Sequence, residues 1–198
     1  MRPDISNFLI HFVSDESLDL AYLRLKMIIK ERRLTGSNRF IKGGYRCICF
    51  SEAPVNCLPS GLLNPDYYSR YSPFGIMVSK KWLFKLGGRP VIYQTEDEYY
   101  LLPDEIKWRH VLYDPLKETP IDFTWEREWR INRDYLDFKP SNARIIVLDN
   151  SWANRLKKDH EREEDYKVLA YSMALDEDDA ELAEVWRNEF DWTIMTLN

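Results

Sequence analysis

The residue types best suited to chemistry lie in residues 125–131, where Glu126 and Glu128 are two positions apart and flanked by Trp125 and Trp129. In a β-strand, residues i and i+2 face the same side, so the two carboxylates point together if the strand already includes both. Aromatic neighbours restrict solvent, and a carboxylate with little access to water exerts a stronger electrostatic effect. The pattern therefore predicts a site that stabilises a positive charge.

The same residues are also typical of an ordinary strand with alternating surface charges. Paired charges are common on strands, and in that interpretation Arg127 and Arg130 are ion-pair partners of the glutamates. The pattern by itself leaves both interpretations open.

Composition predicts one globular domain, because the chain has 198 residues of which 44% are hydrophobic. The net charge of −5 opposes a general affinity for nucleic acids, so any such contact requires a local basic groove. The candidates for that groove are Arg32, Arg33, Arg39, Lys42 and Arg46. No apolar run has the length of a membrane span, the N-terminus lacks the apolar run of a signal peptide, and the three cysteines are odd in number. We expect a cytoplasmic protein that does not contact membranes.

The order of the predicted elements indicates an α+β fold with a mixed sheet. Strands are predicted at residues 8–13, 46–50, 74–78, 90–93, 126–131 and 143–148. Helices are predicted at residues 14–33, 80–86, 96–102, 104–113 and 151–173, and a solvated acidic helix at 176–189. An aromatic loop at residues 55–73 is expected to border the site. We expect a single domain over residues 1–198, with a catalytic core at 1–150 and a helical C-terminal extension at 151–198.

Several kinds of site are not indicated. There is no glycine-rich dinucleotide fingerprint and no Walker A sequence. Cys47-x-Cys49 is too closely spaced for the usual zinc pair, so no metal site is expected. Glu105-x-Lys107 resembles a fragment of a metal-dependent nuclease signature, but it falls on a predicted helix.

Four further residues lie on, or at the end of, predicted strands and could join the glutamates in one site. They are His11, Phe12, Ser51 and Tyr93. Each also has a purely structural interpretation, since a histidine or tyrosine on a strand is often a core residue and Ser51 is suited to a turn before Pro54.

The order of these residues resembles bacterial abortive-infection and toxin proteins and, more distantly, the DarT-like branch of the ADP-ribosyltransferase superfamily. The resemblance spans about residues 8–132. It depends on a first-strand histidine, a strand ending in Cys-Phe-Ser-Glu-x-Pro, and a late Glu-x-Glu-Trp-Arg strand. It implies a split mixed sheet with a cleft for NAD as the substrate and no metal.

The resemblance also implies roles for individual residues. Glu128 matches the catalytic glutamate, and Glu126 matches the residue that helps to accept the target group. His11 matches the residue that holds NAD, and Ser51 the hydroxyl near the nicotinamide ribose. Tyr93 is the proposed aromatic neighbour, and Phe12 stands where some branches have a tyrosine; both are included among the NAD-binding candidates.

The chemistry expected from this resemblance is cleavage of the nicotinamide–ribose bond, which builds positive charge on the ribose. A carboxylate beside the ribose stabilises that charge. The first hypothesis is thus an ADP-ribosyltransferase acting on DNA, RNA or protein as a defence toxin. In that case Glu128→Gln is expected to stop transfer and toxicity while the fold survives.

The second hypothesis is a non-catalytic partner or regulator in a toxin–antitoxin or abortive-infection system, with a cognate antitoxin as one partner to expect. A metal-dependent nuclease is a weaker third. Convergence of His11, Ser51 and Glu128 in one cleft favours the transferase. Placement of Glu128 on the opposite sheet face from His11 contradicts the transferase hypothesis. Pairing of Glu128 with Arg130 favours the binding protein.

Overall fold

The structure, a computed structural model, describes residues 5–52, 71–174 and 184–197. Its centre is a seven-stranded mixed sheet with the strand order β11-β10-β4-β1-β3-β8-β5. These strands are β1 (Phe8–Phe12), β3 (Cys47–Ser51), β4 (Gly75–Ser79), β5 (Arg89–Pro90), β8 (Glu128–Asn132), β10 (Ala143–Val147) and β11 (Ile194–Thr196). Two small sheets pair β2 (Arg33–Thr35) with β9 (Tyr135–Asp137) and β6 (Ile92–Gln94) with β7 (His110–Leu112).

The described residues also form four α-helices and, before the C-terminal segment, two 3-10 segments. The α-helices are α1 (Leu18–Glu31), α2 (Lys80–Lys85), α3 (Glu96–Tyr99) and α4 (Asn150–Ala174). The 3-10 segments are Asp104–Arg109 and Thr124–Glu126. The predicted α+β class, the mixed sheet and the long C-terminal helix are confirmed.

The main core lies between one face of the seven-stranded sheet and helices α1 and α4. Leu9 and Ile76 from the sheet pack with Tyr22 of α1 and Leu156 of α4, and all four are buried. We call this the helix-covered face. Since side chains alternate along a strand, residues next to these lie on the other face, where a smaller cluster is formed by Ile10, Phe12, Met77 and Ile146.

The first helix begins later than the sequence predicts. Ser17, not Ser14, is its N-cap, and the Ser17 hydroxyl accepts a hydrogen bond from the N–H of Leu20 at 3.1 Å. The helix ends at Arg32, whose left-handed conformation (φ 52°) turns the chain into β2. That short strand was missed because three residues are too few to show a periodic pattern.

The segment between residues 89 and 112 differs most from the prediction. The strand predicted at 90–93 is divided, since β5 pairs with β8 while β6 turns away to pair with β7. The helix predicted at 104–113 ends as a 3-10 helix at Arg109, and His110 begins β7. The capping box of Thr95 and Glu98 at the start of α3 is confirmed.

The C-terminal region contributes to the sheet as well as to the helical layer. Residues 175–183, most of the predicted acidic helix, lie outside the described residues, and residues 184–186 form one 3-10 turn. β11 then joins the sheet parallel to β10, with Ile145 opposite Ile194. Trp192 is only 9% exposed in the main core, so residues 151–198 are not solely a helical extension.

Two further expectations concern the loop and the membrane. The loop predicted at 55–73 lies outside the described residues except for residues 71–73. Within the described ranges, no helix combines the length and the apolar character that a membrane span needs.

Candidate functional site

The two glutamates are not on one strand. β8 begins at Glu128, whereas Glu126 ends the 3-10 turn Thr124–Glu126. Arg127, between them, has the left-handed backbone conformation (φ 45°), so the two-residue alternation of a strand does not apply across it. The expectation that strand geometry aligns both carboxylates was wrong, yet both side chains line the same cavity.

Glu126 is held by contacts from two other parts of the chain. Its side chain is almost fully buried, and the Tyr71 hydroxyl donates to Glu126 Oε2 at 2.8 Å. The Ser51 hydroxyl donates to the Glu126 backbone carbonyl at 2.8 Å. Ser51 thus supports the turn that carries Glu126. Trp125 is 46% exposed, so it provides no wall around the carboxylate.

Glu128 forms a two-point ion pair with Arg130. The Nε of Arg130 lies 2.9 Å from Oε1, and Nη2 lies 3.2 Å from Oε2. Arg130 also donates to the carbonyls of Trp108 and His110, at 3.0 and 2.8 Å. Both side chains are largely buried, with exposures of 12% for Glu128 and 6% for Arg130.

The charge balance of this pair follows from its burial. Burial by itself opposes the charged guanidinium, but the adjacent Glu128 carboxylate outweighs it and raises the pKa of Arg130. The guanidinium therefore stays charged at all relevant pH values and compensates most of the negative charge of Glu128.

Tyr93 fixes the start of β8 instead of contacting a ligand through a free hydroxyl. Its hydroxyl oxygen accepts a hydrogen bond from the backbone N–H of Glu128 at 3.1 Å. Burial raises the pKa of Tyr93 to about 12, so the phenol is protonated at neutral pH.

His11 lies on the opposite face of the sheet from Glu128. Ile10 is the register partner of Ser51 across β1 and β3, and Ser51 is the partner of Glu128 across β3 and β8. Register partners share a face, so Ile10, Ser51 and Glu128 lie together. His11, one residue on, lies on the helix-covered face. The expectation that His11, Ser51 and Glu128 line one concave site was wrong for His11.

The surroundings of His11 are those of a core residue. Its Nδ1 is 2.8 Å from the carbonyl oxygen of Cys49, and its ring meets the Phe50 ring edge-on at 5.8 Å. Phe12 returns to the face of Glu128, where its ring packs against Tyr71 at 5.5 Å. Phe12 therefore borders the glutamates through Tyr71.

The His11 environment leads to a pH-dependence prediction. Burial lowers the pKa of His11 and outweighs the hydrogen bond to the Cys49 carbonyl, which raises it. Since the folded-state pKa is below the unfolded value of about 6.5, the stability from neutral His11 is complete above pH 6.5 and is lost as the pH falls through the folded-state pKa. In urea unfolding at pH 7, 6 and 5, we expect the free energy of unfolding to fall less with decreasing pH for His11→Asn than for the unmodified chain. The two pH dependences are expected to differ by at most about 1.4 kcal/mol per pH unit.

The unmodified chain, measured at each pH in the same series, is the reference for this prediction. An identical pH profile for His11→Asn and the unmodified chain would contradict the assignment.

The cavity that contains both glutamates has a volume of about 820 Å³, within the range of small-molecule sites. We call it the glutamate pocket. Its lining residues are Phe40, Ile41, Lys42, Glu96, His110, Val111, Leu112, Ile121, Phe123, Glu126, Glu128 and Arg130. Six of the twelve are apolar, and the other six are polar or charged. Of the predicted site residues, only the two glutamates line it directly.

The aromatic rim of this pocket was not predicted. Phe40 is 76% exposed and has a left-handed backbone conformation (φ 62°), which is uncommon for a bulky residue. Strained backbone of this kind concentrates at functional sites. Phe123 is 36% exposed. A lone phenylalanine in a predicted loop gives no sequence signal of such a role, whereas Arg130 was visible as an ion-pair partner two residues after Glu128.

A second cavity, of about 660 Å³, lies between α1, α4 and residues 188–192. It contains none of the predicted site residues. Ion pairs occupy much of its lining, including those of Lys26 with Asp159 and Glu163 and that of Lys167 with Glu164.

The Glu105-x-Lys107 sequence, which resembles a fragment of a nuclease signature, does not lie in a structural context that suits metal-dependent nuclease chemistry. Glu105 and Lys107 lie on the 3-10 helix Asp104–Arg109, and Lys107 pairs with Asp104 at 2.6 Å. In residues 5–52, 71–174 and 184–197, no three His, Cys, Asp or Glu side chains form a group that could hold a metal ion.

The basic residues predicted to form a groove are mostly paired. Four of the five have carboxylate partners: Arg32 with Asp191, Arg33 with Asp137, Lys42 with Glu96 and Arg46 with Asp134. The fifth, Arg39, lies over the Phe40 ring at 4.9 Å. A ligand that used these cations would have to compete with their present partners.

Comparisons with protein-family models, curated proteins and solved structures gave no match to this chain. The likeness to ADP-ribosyltransferases stays an interpretation of short motifs. Any functional conclusion depends on that likeness and on the contacts described above.

Proposed function

We propose that this chain is a non-catalytic binding protein that takes its ligand in the glutamate pocket. By the resemblance of its motifs, it acts as a partner or regulator in a bacterial toxin–antitoxin or abortive-infection system. The observation that carries the proposal is the buried two-point ion pair between Glu128 and Arg130.

The ion pair matters because of what ADP-ribosyl transfer requires of a carboxylate. The ribose becomes positively charged as the bond to nicotinamide breaks, and a carboxylate helps by supplying negative charge at that point. The Arg130 guanidinium, 2.9 Å from the Glu128 carboxylate, contributes a positive potential that nearly cancels the negative potential of the carboxylate. Because both side chains are largely buried, this cancellation is poorly screened by solvent.

The position of His11 supports the same conclusion. In the transferase hypothesis, the first-strand histidine holds NAD on the face of the catalytic glutamate. Here the register of β1, β3 and β8 leaves that face to Ile10 and Phe12. The histidine instead contacts the Cys49 carbonyl and the Phe50 ring. Of the three residues on which transfer depended, Glu128 is therefore paired with Arg130, and His11 lies on the other face of the sheet.

The pocket itself is suited to binding. Its lining combines apolar side chains, aromatic rings at the rim and buried polar groups such as Glu126 and Arg130, and small-molecule sites use the same kinds of contact. Each carboxylate oxygen of Glu128 can accept a second hydrogen bond beside the one from Arg130. NAD and its fragments, nicotinamide and ADP-ribose, are the first ligands to test.

The experiment combines labelling with thermal unfolding. NAD labelled in its ADP-ribose part is incubated with the chain and with separate pools of DNA, RNA and protein. We expect no label on any pool and no NAD consumption. NAD at 100 times its Kd is expected to add about 2.7 kcal/mol of stability, a rise in Tm of roughly 5–10 °C for a chain of this size.

A matched pair of variants locates the binding. Phe123→Ala at the pocket rim is expected to reduce the rise in Tm, whereas Phe8→Ala is not, although both side chains have similar exposure, 36% and 37%. Labelling of any pool contradicts the absence of catalysis. No change of Tm with NAD, ADP-ribose or nicotinamide contradicts the assignment of the ligand.

A second candidate function is ADP-ribosyl transfer that depends on Glu126 instead of on Glu128 and His11, because Glu126 also lines the pocket. A hydrogen bond from Tyr71 holds its carboxylate in place. In addition, the strands that carry His11, Ser51 and Glu128 are contiguous, in the order β1-β3-β8. If label is transferred to DNA, RNA or protein, Glu126→Gln is expected to slow transfer about 100- to 1,000-fold.

A further inference from the structure

Four cations at one edge of the sheet have no acidic partner among the described residues. They are Lys85, Arg89, Arg109 and Arg133, and we call them the basic ridge. The ion pairs of the described chain include none of them. They lie together in a chain with a net charge of −5, and a local basic surface of this kind attracts anions.

The three arginines are oriented by backbone carbonyls around the end of α2 and strand β5. Arg89 donates to the carbonyls of Phe84 and Gly88, at 2.9 and 2.7 Å. Arg109 donates to that of Pro90 at 2.9 Å, and Arg133 donates to that of Leu86 at 2.8 Å.

Carbonyl contacts hold a guanidinium without neutralising it. A guanidinium has five N–H donors, and each of these arginines uses one nitrogen atom in its contacts to the protein. The remaining donors and the full positive charge are available to a ligand. The arrangement is therefore preoriented for phosphate, which guanidinium groups bind through paired hydrogen bonds.

Like charges also lie close together in this ridge. Burial lowers the pKa of Arg109, and the neighbouring Arg89 lowers it further. Mutual repulsion of this kind is relieved when an anion binds between the two groups. The ridge differs in this respect from Arg32 and Arg33, which have aspartate partners.

An exposed aromatic ring lies within the ridge. Phe84 is 49% exposed, and the guanidinium of Arg89 lies 3.9 Å from the centre of its ring. Cations that follow a phosphate backbone, combined with an aromatic ring for base stacking, are typical of proteins that bind single-stranded nucleic acid.

We propose that the basic ridge binds the phosphodiester backbone of single-stranded nucleic acid, with Phe84 stacking on a base. This inference does not depend on the function proposed for the glutamate pocket. The two surfaces adjoin, since Arg89 is the register partner of Arg130, so a bound strand would pass beside the pocket.

The test is fluorescence anisotropy with labelled single-stranded oligonucleotides in 50 mM and 200 mM salt. Three phosphate contacts predict a slope of log K against log salt near −2 and a loss of affinity of roughly 20-fold between these concentrations. The combined variant Arg89→Gln, Arg109→Gln, Arg133→Gln is expected to remove this salt dependence and the binding.

The matched control replaces three exposed arginines that have aspartate partners. It is Arg33→Gln, Arg46→Gln, Arg155→Gln, and it changes the net charge by the same amount. This control variant is expected to retain at least half of the slope of log K against log salt that the unmodified chain shows. Phe84→Ala is expected to weaken binding to a single strand about tenfold and to leave binding to a duplex nearly unchanged.

Three outcomes would overturn the proposal. One is no binding of single strands in 50 mM salt. Another is an equal loss in the two triple variants, which would indicate a general effect of net charge. The third is equally tight, Phe84-independent binding of polyglutamate, which would assign the ridge to an acidic protein. If the triple variant does not fold, each single arginine variant is expected to lower the slope by about 0.7.

Discussion

Replacement of Glu128 by glutamine is expected to lower the free energy of unfolding by about 3 kcal/mol, which corresponds to a fall in Tm of roughly 6–12 °C. The reason is that Arg130 would keep its positive charge in a buried position without a counter-charge. Its contacts with the carbonyls of Trp108 and His110 reduce this cost but do not supply a negative charge. Thermal and urea unfolding monitored by circular dichroism measure the change.

A double variant separates loss of the pair from loss of shape. Glu128→Gln combined with Arg130→Met removes both charges and keeps similar volumes, and neutral replacements of buried ion pairs are often well tolerated. We expect it to be more stable than Glu128→Gln alone by at least about 1 kcal/mol. A single variant as stable as the unmodified chain would show that the pair is not a buried structural contact.

This result would change how any activity measurement on Glu128 is understood. The sequence by itself predicts that Glu128→Gln removes catalysis and keeps the fold. With Arg130 in contact, a loss of toxicity or of binding in this variant is expected from destabilisation alone. Glu126→Gln, which leaves the Glu128–Arg130 ion pair in place, is the better probe of chemistry in the pocket.

Replacement of Trp192 by alanine is expected to lower the free energy of unfolding by about 3–5 kcal/mol. Trp192 is buried in the main core, packs edge-on against Phe138 at 5.6 Å and lies under the guanidinium of Arg32 at 5.7 Å. The alanine leaves a cavity where the C-terminal segment meets the sheet. Urea unfolding gives the magnitude.

The control for this prediction is Trp186→Ala in the same C-terminal segment. Trp186 is 59% exposed and packs only on the side chain of Tyr171 among the ring contacts of the described chain. Its replacement is expected to cost less than about 1 kcal/mol. Equal effects of the two replacements would mean that residues 184–197 do not belong to the folded core.

The local elements with clear periodicity could be predicted from the sequence. β1 and β10 were found near their observed ends as short runs of largely apolar residues, and α1 was found because Leu18, Tyr22, Leu25 and Ile29 recur at helical spacing. The Thr95 and Glu98 capping box was also found, since its contacts are made within four residues. Contacts of such short range depend only on neighbouring residue types.

Sequence reasoning also identified the glutamate pair and Arg130 as chemically significant, but not the arrangement of the site. The left-handed backbone conformation of Arg127 removes Glu126 from the strand. No pattern of neighbouring residues predicts that an arginine will adopt this conformation. The position of His11 depends on the register of β1 against β3. A shift of one residue in register moves every side chain to the other face, and nothing within β1 specifies it.

The sequence alone therefore determined the α+β class, the main strands and helices, and the residue types available for chemistry. Tertiary structure alone decided which of those residues meet. It paired Glu128 with Arg130 in a buried position and separated His11 from both. It also left the basic ridge without acidic partners in the described part of the chain, while three of the four arginines predicted to bind nucleic acid acquired them. The physical reason is that charge pairing and sheet register are contacts between residues distant in the chain, and they are selected by packing of the whole core and not by local preference.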